Sequence, residues 1–399
     1  MTNLRALTNA TILCPVQGLI KNGTLLFDRG KIVDVGPSVP IPSNAKITDV
    51  EGQFVVPGFV EAHAHHGLFD GTIGPMGQDG NEMTTPITPE MRGKDGFYPF
   101  EPSLKEIIKG GVTTVNTGPG SGNVISGEAF IFKPIPQTVV EDMIVMSPSA
   151  LKIALGENPK RVHGQDNKRM PMTRMGIAAL LRKTFTDGQN YLDEWKAFGA
   201  KAKEAKAKGE AIPTPPKRDL GFETIAMVIK REIPIHAHCH RADDIATIIR
   251  IAEEFNLHLV LIHCTEGHKI AKFLAKKQYP AVVGPTMLWA SKPEVREKGF
   301  KTAVTLNDAG VKVALQTDSI TPMLYFPLLA MHCIKEGMSG DDALRCVTIN
   351  PAEILNLHER IGSFEPGKDA DIIVWSGHPF EFYSEVTEAY INGKKIPID

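Results

Sequence analysis

His63 and His65 stand two residues apart in Val60-Glu61-Ala62-His63-Ala64-His65-His66-Gly67, directly after the apolar stretch 54–60. Side chains at i and i+2 of a strand share a face, so both imidazoles can reach one metal ion. A His-x-His pair also arises in ordinary packing, so its meaning depends on what other strand ends contribute. They contribute more ligands. Ile235-His236-Ala237-His238-Cys239-His240 closes a second apolar run, Leu259-Val260-Leu261-Ile262-His263-Cys264 a third, and Ala314-Leu315-Gln316-Thr317-Asp318-Ser319 a fourth. His63, His65, His238, His263 and Asp318 together form a nitrogen-and-oxygen donor set suited to zinc, iron, manganese or cobalt. Cys239 and Cys264 could bind zinc as thiolates, but strand alternation turns both away from the histidine face, and packing is their reading.

A further strand-like run, Ser149-Ala150-Leu151-Lys152-Ile153-Ala154-Leu155-Gly156-Glu157-Asn158, carries a lysine inside apolar neighbours. A bare buried ammonium is costly, so Lys152 is expected to pair with a carboxylate such as Asp318 or Glu157.

These ligands need a scaffold that brings distant strand ends together. After the first strand, strand-like segments follow at 112–117, 129–132, 151–155, 233–238, 258–263, 281–284 and 311–317. Some are separated by helical patterns such as the one at 244–255. Alternation of this kind predicts parallel strands with right-handed crossovers, and eight strands predict an α/β fold, a closed (β/α)8 TIM barrel. All five ligand positions then fall at the carboxyl ends of barrel strands, the rim where barrel enzymes place catalytic groups. Short strands with Lys-Asn-Gly and Asp-Arg-Gly turns fill the N-terminal 50 residues, and similar strands return at 370–375 and 386–393. Residues 1–57 and 360–399 are therefore expected to form one small β-sandwich domain, with the barrel at 58–359.

Two segments exceed an ordinary barrel. The Gly-, Pro- and Met-rich connection 67–100 lies next to His65 and reads as a wall or lid of the site. An insertion at about 160–220 carries a lysine run at 196–208, read as an exposed helix. Gly118-Pro119-Gly120-Ser121-Gly122-Asn123 is a turn without the ending of a phosphate loop. Arg161, His163, His240, Arg241 and His268 follow strand ends on the same rim and are candidate substrate contacts, with pairing on helix surfaces as the alternative.

The chain of 399 residues exceeds one compact core, and 42% hydrophobic residues suffice for a large barrel plus a small unit. A net charge of −2 lacks the basic surplus of a general nucleic-acid or anionic-membrane binder. No apolar run reaches the roughly 20 residues of a membrane span. The start Met1-Thr2-Asn3-Leu4-Arg5-Ala6-Leu7 lacks the order of a secretory leader. Five scattered cysteines without a Cys-x-x-Cys read as reduced thiols of a cytoplasmic protein. The expected partner is a small-molecule substrate. A homo-oligomer is compatible with this reading, although no surface pattern specifies one.

At this point the chain resembles the amidohydrolase superfamily, metal-dependent hydrolases on a (β/α)8 barrel, over almost its full length. His63-x-His65, His238, His263 and Asp318 match that family's metal pattern in order. Pro57-Gly58-Phe59-Val60 and Gly362-Ser363-Phe364-Glu365-Pro366-Gly367-Lys368-Asp369-Ala370-Asp371 resemble its imidazolonepropionase-like and prolidase-like branch. The resemblance implies a binuclear centre. One divalent ion, Zn2+ first and Fe2+, Mn2+ or Co2+ otherwise, would take His63, His65 and Asp318, and a second His238 and His263. Lys152, carboxylated to a carbamate, would bridge them, with Glu157 as the competing ligand. It also implies hydrolysis of an amide, cyclic-amide or dipeptide-like C–N bond by a metal-activated hydroxide, with Asp318 as general base and acid. A mononuclear aminohydrolase (deaminase) and a non-catalytic barrel scaffold are the alternatives.

Overall fold

A computed structural model describes residues 4–135 and 139–398 of the chain. Residues 1–3 of the Met1–Leu7 start and residue 399 of the expected terminal domain lie outside the described residues. The N-terminal third opens with β1 (Arg5–Cys14), β2 (Gly18–Asp28), β3 (Lys31–Gly36), β4 (Lys46–Asp49) and β5 (Phe54–Pro57). A second set follows: β6 (Phe59–Ala64), β7 (Val112–Thr117), β8 (Ile125–Phe132), β9 (Ile144–Ala154), β10 (Ile235–Cys239), β11 (Leu259–His263), β12 (Ala281–Val283) and β13 (Val313–Leu315). The chain returns with β14 (Ile372–Trp375), β15 (Val386–Ile391) and β16 (Lys394–Ile396).

The second set forms one eight-stranded sheet in the order β13-β12-β11-β10-β9-β8-β7-β6, which curls into a nearly closed barrel. Its seam is bridged by side chains. The Glu61 carboxylate of β6 accepts from the Thr317 N–H at 2.7 Å and from Thr317 Oγ1 at 2.9 Å, just past β13. The His65 N–H donates to Ser319 Oγ at 2.7 Å across the same gap.

All eight expected strands are present, but they are not all parallel. β8 runs antiparallel to both β7 and β9, so seven strands point one way and one is reversed. The reason is local: only the short segment 118–124 connects β7 to β8, too short for the crossover helix a parallel pair needs. Among the described residues long α-helices appear only after β9, beginning with Arg174–Lys208 and Leu220–Ile229. The lysine run 196–208 lies on the former, largely exposed, and Thr173 caps that helix by accepting from the Gly176 N–H at 3.0 Å.

The two chain ends assemble a second eight-stranded sheet, β16-β15-β14-β5-β1-β2-β3 with β4 on β1. It is one continuous hydrogen-bonded sheet, with its own buried cluster around Leu7, Ile12, Phe27, Ile372 and Tyr390.

In β10 and β11 the alternation is clear. Ile235, Ala237 and Cys239 join Leu259 and Leu261 in the large cluster shared with the helices, whereas Val260 and Ile262 join Val60, Val282 and Ala314 inside the barrel. His236 pairs in register with Val260 and His238 with Ile262, so both histidines face inward. Among the described residues no helix is long and apolar enough to cross a membrane.

Candidate metal centre

His63 leaves β6 buried, and His65 follows it onto the same rim, their ring centroids 5.0 Å apart. Each faces Asp318: His63 Nε2 and His65 Nε2 both lie 3.3 Å from Asp318 Oδ1. That oxygen is buried without a well-formed hydrogen bond. Two imidazole nitrogens aimed at a carboxylate oxygen without hydrogen-bond geometry are what a shared cation would explain. Ligand atoms about 2.0–2.1 Å from a tetrahedral ion stand roughly 3.3 Å from one another. His65 Nδ1 is held 2.7 Å from the Gly118 carbonyl, so it donates there and leaves Nε2 free for the site.

His263 reaches the site by a different route. It pairs in register with Cys239, which faces the helices, so plain alternation would send it outward too. Its backbone is left-handed instead, φ 79°, and Cys264 follows at φ 50°. That conformation costs a non-glycine residue about 1–3 kcal/mol, and here it swings the imidazole into the mouth of the barrel. His263 Nδ1 donates to the Gly284 carbonyl at 2.7 Å, while Gln316 Nε2 donates to the same carbonyl at 3.0 Å. Asp318 and Ser319 are likewise left-handed, φ 57° and 56°. The bonds from the Thr317 N–H to Glu61 and from the His65 N–H to Ser319 hold them there.

The donor atoms fall into two sets, within each of which all atoms lie within 4.8 Å of one another: His63, His263 and Asp318, and His238, His240 and His263. His65 touches Asp318 but lies outside the first set. Lys152 is buried with Nζ 2.8 Å from His63 Nε2. Burial pushes its pKa down to about 8, partly offset by Asp318. Glu157 lies outside both sets, its Oε2 facing the Glu294 N–H at 3.4 Å. His163 is buried, donating to Asn123 Oδ1 at 2.8 Å. Arg161 and Arg241 are occupied by Asp166 and Asp243, and His268 meets Thr302. Cys239 and Cys264 are buried in the helix-side cluster and join no donor set.

Electrostatics favour ligation. Burial holds His63, His238 and His240 well below the ordinary imidazole value and His263 at about 4, so these rings are neutral near pH 7. Neutral imidazole is the form that binds metal. Burial alone would raise Asp318, but His263, His63 and His65 outweigh it and keep the carboxyl well below its usual range. His238 keeps both ring nitrogens buried without partners, and His236 keeps Nε2 so. Such orphaned groups are expensive unless a cation meets them. The donor set therefore fits divalent ions.

Sequence reading missed three supports. Glu61 is fully buried, and burial raises its pKa to about 8; its place two residues before His63 was a readable signal. Gln316 braces His263, as above. Glu294 accepts from Lys292 Nζ at 2.6 Å and from the Glu157 N–H at 2.9 Å, and stands 3.8 Å from His238 Nε2. It lies in the irregular segment after β12, where no periodicity marks it.

The family model described as the amidohydrolase family matches residues 54–396. The amidohydrolase tasK of Hapsidospora irregularis is 28% identical over 93% of the chain, which spans only 39% of tasK's length. Imidazolonepropionase of Geobacillus kaustophilus is 25% identical, covering 90% of this chain and 85% of its own. The crystal structure of an amidohydrolase from Thermotoga maritima superposes with a TM-score of 0.90 at 41% identity, covering 98% of this chain and 99% of the other. A prolidase structure with bound N-methylphosphonate-L-proline superposes at 0.59 with 18% identity, over 98% and 99% of the two chains, a likeness of fold alone.

Proposed function

The chain belongs to the amidohydrolase family, and on that premise we propose that it is a metal-dependent hydrolase of a small amide, cyclic-amide or dipeptide-like C–N bond. One observation carries this reading: buried histidine nitrogens and the Asp318 carboxylate converge in two overlapping donor sets at a single barrel mouth, with His65 also facing Asp318. His63, His65 and Asp318 would hold one divalent ion, and His238 and His263 a second, with Lys152 between them. Bound there, such ions polarise the scissile carbonyl and acidify the attacking water. Asp318 then takes the proton and delivers it to the leaving nitrogen. The bonds from the Thr317 N–H to Glu61 and from the His65 N–H to Ser319, on either side of Asp318, would position that carboxylate.

Lys152 supports two ions over one. Its lowered pKa leaves a large neutral amine fraction near pH 8, the form that reacts with carbon dioxide. A carbamate would replace an unfavourable buried cation with an anionic ligand. The imidazolonepropionase relatives favour a cyclic amide among the candidate substrates. A small-molecule partner, with no nucleic acid or membrane, completes the reading. Cytoplasmic residence fits the five free, buried cysteines, and residues 1–57 with 360–399 serve as the flanking β domain.

The test is metal removal. Protein purified with metal should carry two divalent ions per chain by mass spectrometry. Exhaustive chelation should abolish turnover on a positive from an N-acyl, dipeptide and cyclic-amide screen, and Zn2+, Co2+ or Mn2+ should restore it. Undiminished turnover by the metal-free protein would overturn the proposal. One ion per active chain would instead select the mononuclear aminohydrolase.

A further inference from the structure

We infer that His240 is a third nitrogen donor beside His238 and His263, making the mouth of β10 and β11 a three-histidine site that takes a divalent ion without help from Lys152. The inference rests on the metal-dependent reading above and adds a ligand to it.

His238 and His240 are two residues apart at the end of β10, so both can face the same mouth. Ring centroids lie 4.7 Å apart for His238 and His240, 4.6 Å for His240 and His263, and 4.4 Å for His238 and His263. The His240 and His263 rings are nearly parallel, 14° apart. Outer hydrogen bonds hold both of them: His240 Nδ1 meets Thr265 Oγ1 at 2.7 Å, and His263 Nδ1 meets the Gly284 carbonyl at 2.7 Å. With Nδ1 tied outward on each, Nε2 is the atom left for a ligand, the arrangement that orients metal-binding histidines. His238 supplies the third nitrogen, and neither of its ring nitrogens has a hydrogen-bond partner.

A packed histidine cluster of purely structural purpose would satisfy itself through N–H···N or N–H···O bonds. This one leaves its central ring unbonded. Glu294 does not fill the gap, because it stands 3.8 Å from His238 Nε2 and is held by Lys292 and the Glu157 backbone. It does place a buried negative charge beside the trio, which favours a cation there.

Three protein nitrogens with an open fourth position match the ligand number of catalytic zinc sites. His263 has one free nitrogen, so once it serves this trio the other ion falls to His63, His65 and Asp318. Lys152, with Nζ 2.8 Å from His63 Nε2, stands on the side of that other ion, which is the one that would depend on it.

The experiment uses full-length protein reconstituted with Co2+ alone, with stoichiometry after dialysis and X-ray absorption at the cobalt edge as readouts. Wild type should hold two ions. Lys152→Met should retain one, with three imidazoles in its scattering shell. Adding His240→Gln to that background should weaken retention at least about tenfold and remove one imidazole, with circular dichroism confirming the fold. Two imidazoles in the Lys152→Met protein, or unchanged affinity on adding His240→Gln, would overturn the inference and leave the hydrolase reading standing. A wild-type protein that takes up no Co2+ would overturn both.

Discussion

Asp318→Asn should lower kcat by about two to four orders of magnitude, the range that a positioned acid–base group contributes, while the unfolding midpoint stays near wild type. Asn matches Asp in shape and tolerates the left-handed backbone that Asp318 adopts at φ 57°. The surrounding bonds, from the Thr317 N–H to Glu61 and from the His65 N–H to Ser319, do not involve the replaced carboxylate. What changes is chemistry: an oxygen kept ionised by His263, His63 and His65 becomes a neutral amide with no affinity for a proton. Loss of an interaction made in the transition state lowers kcat and kcat/KM together. Metal content should be measured in the same preparation, because Asp318 also stands among the donors. A variant that keeps its ions and turns over a confirmed substrate at a near-normal rate would defeat the assignment to Asp318.

How far the sequence could carry this site differs from ligand to ligand. His63, His65 and His238 were legible because they sit at the ends of recognisable apolar strands and obey period-two alternation. His263 was found by its place at a strand end, yet its orientation was not readable. In register it follows Leu259 and Leu261 toward the helices, and only the left-handed turn at His263 and Cys264 brings it round. Glycine would have announced such a turn, whereas histidine and cysteine do not. Glu294 was invisible for a related reason, since an irregular loop carries no pattern that marks a buried carboxylate. The reversal of β8 was hidden because an apolar strand reads alike in either direction, and only the shortness of 118–124 argued against a crossover. The resemblance to the family covered the expected metal donors but not these supports.

Lys133→Met should be the most damaging single change to stability, about 3–5 kcal/mol in equilibrium urea unfolding, the usual cost of removing one partner from a buried ion pair. Lys133 directly follows β8 and is 2% exposed. Its Nζ lies 2.9 Å from Asp369 Oδ2, 2.8 Å from Asp371 Oδ2 and 2.6 Å from Asn392 Oδ1, tying the barrel to the terminal sheet. The two aspartates do not suffer equally. Asp369 keeps Lys31 at 2.6 Å and Arg360 at 2.9 Å, whereas Asp371 has no other cation among the ion pairs of the described residues. Burial already raises the Asp371 pKa against the pull of Lys133, so without the lysine this carboxyl is expected to protonate. Asp369 behaves oppositely: burial would raise it, but Lys133 and its other partners hold it at about 2. A depressed folded pKa contributes stability that is present above about pH 4 and lost as pH falls toward 2. The deficit of the variant should therefore be largest near neutrality and shrink below about pH 4, and adding Asp371→Asn should restore part of it. A deficit under about 1 kcal/mol, or one that grows as pH falls, would show that the barrel and the terminal sheet are held together by apolar packing and not by this buried charge.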